Sequence, residues 1–318
     1  MRSTRSIALA TLPAAAAIAL WNGYRRVSKE LGSHVAASPL IPGRVKSIPT
    51  SWGRLSYRIV PGTDPGPPLA LVHGWGRSAD SVWWPLIANT QRTLVAIDLP
   101  GHGHSDGGRQ GSAGLEANAD DIATVIATLA PGARGVVGMS LGGLTAITLA
   151  DRHPDPVERL VLVDVTPGVD DQKASAVIAF INGPESFPNF DEILARTIEF
   201  NPTRSESSLR RGILHNALQR EDGSWVWRYA RHRNVELSGT DALPDRAQLW
   251  EAVGRLPMPT LLARGMRSGS VVSDEDEVEL RRRLPSVEVE HFVEAGHSIQ
   301  GDQPVELAAA IDRFVFAT

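Results

Sequence analysis

With 318 residues, 42% of them hydrophobic and 21% charged, the chain has the make-up of an ordinary folded protein and a length that fits one large domain with an insertion, or two domains. The formal net charge of -4 leaves no basic footprint for nucleic acid. Cysteine is absent, which excludes disulfides, thiolate metal sites and a cysteine nucleophile together.

Taken in chain order, the first feature is an uncharged run over residues 6–23 ("SIALATLPAAAAIALWNG"), preceded by Arg2 and Arg5 and followed by Arg25, Arg26 and Lys29. The layout resembles a signal sequence or a short membrane anchor. Its apolar part, residues 7–21, would be about 22 Å long as a helix, short of the roughly 30 Å hydrocarbon core, and Pro13 weakens it further. The small residues a signal peptidase wants are missing after the run, where Trp21, Asn22, Gly23 and Tyr24 stand. An uncleaved anchor is therefore favoured over a cleaved signal, and a membrane-anchored or exported protein over a cytoplasmic one. An alanine-rich extension that merely frays is the plain alternative. Residues 1–37 are set apart as this segment and its linker.

Beyond it, short apolar runs alternate with helical patterns. Residues 55–60 ("LSYRIV"), 69–72 ("LALV") and 93–97 ("TLVAI") read as strands, as do Val136 and Val137 with their neighbours. Residues 160–163 ("LVLV"), 260–263 ("TLLA") and 287–292 ("VEVEHF") complete the set. Runs without alternation suit strands covered on both faces, as in a parallel sheet. Between them, residues 115–129 carry Leu115, Ile122, Val125, Ile126 and Leu129 at helical spacing, and a second helix follows Ser140 over residues 141–150. The layout is that of a doubly wound α/β protein.

Residues 169–257 break the alternation. Helical stretches dominate there: residues 190–200, then a capping box at Thr203 and Glu206 leading into Leu209, Ile213, Leu214, Ala217 and Leu218. Asp222-Gly223 signals a turn. The interval reads as a mostly helical cap inserted between two parts of one sheet domain, residues 38–168 and 258–318. Such a cap walls a pocket over the carboxyl edge of the sheet. Trp225 and Trp227 alternate as one face of an extended segment; with Trp83 and Trp84 they are candidates for an apolar acyl pocket, although packing within the cap explains them more readily.

Chemistry concentrates at the strand ends. In "GVVGMSLGG" a strand gives way to Gly138-Met139-Ser140-Leu141-Gly142 and then directly to a helix, so Ser140 sits on a sharp turn with its hydroxyl above the sheet. "HGWG" follows strand 69–72, and the backbone N–H groups of Trp75 and Leu141 are the expected oxyanion donors. His297, in "VEAGHSIQGDQP", lies on a loop after a strand and is the expected base. His102, His104, His153 and His215 fit structural roles better. "GHGHSDGG" matches neither a dinucleotide nor a Walker loop and reads as a tight structural turn braced by Asp98. No metal motif is visible.

The motifs "HGWG", "DLPGHGHSD", "GMSLGG" and "AGHS", in that order over roughly residues 45–316, resemble those of the α/β-hydrolase fold superfamily. The resemblance implies a mostly parallel sheet of about eight strands flanked by helices, a Ser-His-acid triad at its carboxyl edge, and no cofactor. A serine at the turn separates the chain from the similar epoxide hydrolases and haloalkane dehalogenases, which carry aspartate there. In many members the acid stands three residues past the glycine of the strand equivalent to "PTLLARG". That position here is Ser268. Asp274 is the nearest carboxylate, but Ser273 and Asp276 form a capping box around it. Asp164 ends the buried run "LVLV" and needs a partner such as a histidine N–H, so it is favoured as the acid, with Asp274 the alternative.

The expected function is a serine hydrolase that cleaves a carboxylic ester or related acyl bond of a small-molecule, apolar substrate through an acyl-enzyme. Carbon–carbon bond hydrolysis and cofactor-free peroxidase chemistry remain open on the same fold. So does a ligand receptor without turnover. Acyl length and oligomeric state stay open.

Overall fold

The computed structural model describes residues 45–87, 89–107, 114–169, 172–202, 204–229 and 245–316. The expected N-terminal anchor, residues 1–37, lies outside them. No helix among the described residues is long and apolar enough to cross a membrane.

Eight strands form the main sheet: β1 (Val45–Thr50), β2 (Gly53–Val60), β3 (Leu69–Val72), β4 (Leu94–Ile97), β5 (Gly135–Met139), β6 (Leu160–Val163) and, beyond an insertion containing three short strands, β10 (Thr260–Gly265) and β11 (Glu288–Phe292). Their order is β1-β2-β4-β3-β5-β6-β10-β11. From β4 to β11 every pairing is parallel, and β1 and β2 join antiparallel at one edge. Strands β3 to β6 are buried along their whole length, because helices cover both faces and every side chain, odd or even, meets a core. Val136 accordingly packs with Ile122, Ile147 and Leu162 on one face. Its neighbour Val137 packs with Leu71, Trp83 and Phe314 on the other. The edge strand β1 escapes sequence reading for the opposite reason: "VKSIPT" is largely exposed and carries no apolar run.

The helices Leu115–Leu129 and Leu141–Arg152 lie where the apolar spacing predicts them. Helix Arg246–Arg255, within the interval expected to be cap, buries Leu249, Ala252 and Val253 in the same cluster as Val136. Its start is fixed by Asp245, whose side chain accepts from the amides of Ala247 and Gln248.

Between β6 and β10 the helices Ser175–Ile181, Phe190–Glu199 and Glu206–Asn216 accompany β7 (Ser186–Phe187), β8 (Ala217–Gln219) and β9 (Trp225–Trp227). These strands form a three-stranded antiparallel sheet in the order β7-β9-β8. The mostly helical interval thus also carries three short strands: β9 is the extended segment read at Trp225 and Trp227, whereas β7 and β8, of two and three residues, are too short to display a period. The β8–β9 connection is the predicted Asp222-Gly223 turn, with Gly223 at φ +85° and the Arg220 amide donating to Ser224 O. The helix expected to be capped by Thr203 begins at Glu206 with Ser205 as its N-cap, and Thr203 lies outside the described residues. Phe180, Phe187, Ile193, Trp225 and Trp227 make the cap's own core. Trp227 meets Phe180 edge-on at 5.5 Å. Trp83 is not part of it, being wholly buried against the main sheet.

Candidate active site

The serine turn is built by close backbone approach. A Cβ on Gly142 would stand 2.3 Å from Val72 O, and one on Gly138 would stand 2.5 Å from Gly142 O. Only glycine lets the helix Leu141–Arg152 start this close to β3 and β5. The chain turns so sharply that Ser140 takes φ 52°, ψ -123°, a conformation that costs a non-glycine residue about 1–3 kcal/mol. Its carbonyl accepts from the amides of Gly143 and Leu144, and its own amide donates to Val163 O at 3.4 Å.

The loop after β3 lies against this turn: a Cβ on Gly74 would sit 3.0 Å from Ser140 Cβ. Among the described residues neither the Trp75 nor the Leu141 amide donates to a protein acceptor. Both are first-turn or loop donors that an incoming oxyanion can use. Two buried histidines hold the loop. Burial pushes the pKa of His73 down, so it is neutral: Nδ1–H donates to Gly74 O at 2.8 Å and Nε2 accepts from the Leu99 amide at 2.9 Å. His102 Nδ1–H donates to Pro100 O, and its Nε2 accepts from the Gly76 amide at 3.2 Å. On the cap side, Asn216 Nδ2 donates to Gly76 O at 2.8 Å.

Asp98 occupies the turn expected of it. Its Oδ1 accepts from the Ala79 amide at 2.7 Å and Oδ2 from the His104 amide at 3.0 Å. Burial alone would raise its pKa, but the hydrogen bonds it accepts from His104 and from the Ala79 amide outweigh burial and lower it.

Asp164 and His297 meet. Asp164 follows β6 at φ 46° and is 0% exposed. His297 Nδ1–H donates to its Oδ2 at 2.9 Å. The remaining acceptor capacity is filled by the Val271 amide on Oδ2 and by the Gly265 amide and Ser270 Oγ on Oδ1. A buried carboxylate so supplied has its acceptor positions satisfied and its orientation fixed. The side chain of Asp274, by contrast, is 85% exposed and pairs with Arg264 in the first turn of helix Asp274–Arg283. The structure does not bring it to His297. Ser273 and Asp276 form the predicted capping box.

His297 is 15% exposed, and its Nε2 makes no hydrogen bond among the described residues. That edge is open to take a proton from a hydroxyl brought within hydrogen-bond reach. Sequence reasoning missed Ser270, Val271, His102 and Asn216. The glycine-rich "GHGHSDGG" pointed to a turn around His102, whereas no local signal marks Asn216 or the Val271 amide. Among the described residues no group of three or more His, Asp or Glu side chains is placed to hold a metal ion.

Comparison with known proteins places the fold. The family model described as alpha/beta hydrolase fold matches residues 67–304. The chain is 42% identical over 245 residues to esterase Rv0045c of Mycobacterium tuberculosis, covering 75% of this chain and 79% of that protein. It is 29% identical over 269 residues to the sn-1-specific diacylglycerol lipase ABHD11 of Xenopus tropicalis, covering 82% of each. A solved structure of the Mycobacterium tuberculosis esterase superposes with a TM-score of 0.74 at 36% identity, covering 95% of this chain and 98% of that one.

Proposed function

This chain belongs to the α/β-hydrolase fold family and is an ester-bond hydrolase, and we propose that Ser140, His297 and Asp164 are its catalytic triad. The observation that carries this reading is the 2.9 Å bond from His297 Nδ1–H to the buried Asp164, beside a serine held at positive φ. Ser140 Oγ attacks the ester carbonyl while His297 Nε2 takes its proton; Asp164 fixes the tautomer and stabilises the imidazolium. The amides of Trp75 and Leu141 hold the tetrahedral oxyanion. His297 then delivers the proton to the departing alcohol, leaving an acyl-Ser140 that water, deprotonated by the same imidazole, releases as the carboxylic acid.

Hydrolysis of p-nitrophenyl esters from acetyl to palmitoyl by the full chain, with Ser140→Ala alongside, tests the assignment. Activity that falls on the order of 10⁴- to 10⁶-fold in the variant supports it. An equally active variant removes Ser140 from the mechanism. The chain length hydrolysed fastest sizes the acyl site, which this reading takes to be apolar. Attachment to a membrane through residues 1–37, with a membrane-anchored or exported location, belongs to the same reading on the strength of the apolar run alone. Partition of the full chain into a membrane fraction, and its release on deleting those residues, tests it.

A further inference from the structure

Two residues beyond Trp75, the loop that carries the expected oxyanion donor presents Arg77 to the cap. Arg77 is half-buried, and among the described residues its guanidinium has neither a carboxylate partner nor a hydrogen bond. Its charged neighbour is a second cation, Arg204. Arg204 donates through Nη2 to Ser208 Oγ at 2.8 Å, and its one acidic partner among the described residues, Asp302, stands 4.0 Å from Nε. The Arg204 head also abuts the short helix that follows His297, where a Cβ on Gly301 would lie 2.7 Å from Nη2.

Arg77 and Arg204 line one cavity of about 20 Å³, with Asn201 and Ser208 as polar neighbours and Phe180 and Trp227 as apolar walls. That volume takes one small polar group and no more. Burial pushes the pKa of both arginines down, Arg77's to about 10 with the Arg204 charge adding to the effect; a guanidinium keeps its proton in proteins. Among the described residues these two half-buried like charges share one carboxylate, Asp302 at 4.0 Å from Arg204 Nε, an arrangement that a bound anion would complete.

We propose that Arg77 and Arg204 form a subsite for a carboxylate-sized anion between the oxyanion loop and the cap. Neither Ser140 nor His297 lines this cavity. The anion is therefore not the reacting carbonyl; it is either a second, distal carboxylate carried by the acyl chain of the substrate or a free small carboxylate. The inference uses the serine-hydrolase reading only for its activity readout.

The full chain is assayed on the mono-p-nitrophenyl esters of glutaric, adipic and suberic acids, each against the neutral ester of equal acyl length: valerate, hexanoate and octanoate. Melting temperature is followed in parallel across a sodium acetate titration at constant ionic strength. If the carboxylate is substrate-borne, the ratio of kcat/KM for the acidic over the neutral ester exceeds one at one length. It then falls on the order of 10-fold or more in Arg77→Met, as expected for a lost charge-assisted bond, and recovers in part in Arg77→Lys. If the anion is free, that ratio stays flat, whereas acetate raises the melting temperature of the wild type and not of Arg77→Met. Should Arg77→Met fail to fold, the wild type alone decides. A wild type with no acidic-ester preference at any length and no acetate stabilisation overturns the subsite. Neutral-ester hydrolysis that still depends on Ser140 would in that case leave the triad standing.

Discussion

His297 and Asp164 are 133 residues apart in sequence and 2.9 Å apart at Nδ1 and Oδ2. The contact joins the loop after β11 to the end of β6, bypassing the position after β10 where the resemblance implies the acid in many relatives. The β10 loop still serves the carboxylate, since Gly265, Ser270 and Val271 supply three of its four hydrogen bonds.

Exchanging Asp164 for Asn is expected to lower kcat by about 10⁴, because an amide imposes the wrong imidazole tautomer. Asp274→Asn is expected to leave kcat/KM within about twofold, its carboxylate being an exposed partner of Arg264. Ester kinetics on both variants check the pair. Loss of activity in Asp274→Asn alone would exchange the two roles.

Strain at Ser140 predicts a separation of stability from activity. Ser140→Gly relieves the positive φ at the cost of unfolded-state entropy, a net gain of about 1 kcal/mol, whereas Ser140→Ala keeps the strain. Both variants are expected to be inactive, and thermal melts to place the glycine variant roughly 2–4 °C above the alanine variant.

Glycines at two helix positions are predicted to respond oppositely to alanine. At Gly142 the new Cβ meets Val72 O at 2.3 Å, a backbone atom that cannot step aside. A loss of about 3 kcal/mol or more is expected. At Gly212, in the middle of helix Glu206–Asn216, nothing lies within 4 Å. There alanine is expected to gain roughly 0.5–1 kcal/mol through helix propensity. Denaturant titrations of the two variants read both signs.

His215 makes stability depend on pH. Burial, with the charges of Arg211, Arg58 and Arg228 and against that of Asp80, pushes its pKa from 6.5 down to about 4. Between those values the unfolded chain binds a proton that the folded chain refuses, so stability is full above pH 6.5 and drains as pH falls toward 4. His215→Gln is expected to remove that part of the slope. Melting temperatures of wild type and variant should therefore converge as pH drops from 6.5 to 4; parallel curves would contradict the assignment.

The sheet was legible because burial on both faces turns each inner strand into an unbroken apolar run, as in "LVLV" and "LALV". The same rule blinded the reading to β1, an edge strand with exposed Lys46 and Pro49, and to the cap strands β7 and β8, whereas the alternation of Trp225 and Trp227 did show β9 as extended. Ser140 and His297 announce themselves through glycine-flanked loops at strand ends. Asp164 could be weighed because a carboxylate closing a buried strand demands a partner. What supports these residues was not legible: the Val271 amide and the Asn216 side chain act through where the chain folds back, which local composition does not encode. Arg77 and Arg204 likewise become neighbours only in three dimensions.

The placement of Asp164 just after β6 divides the proposed site unevenly across the cap. In the proposed triad, Ser140, Asp164 and the Trp75 and Leu141 amides all precede the insertion, and only His297 follows it. Strand β10 docks beside β6, with Ala263 O accepting the Asp164 amide and the Gly265 amide returning to its carboxylate. The act that completes the sheet is therefore also the act that arms the site. A chain cut within the cap would yield two silent fragments, one holding everything except a proton acceptor, and reassociation along β6 and β10 would itself be the switch that turns hydrolysis on.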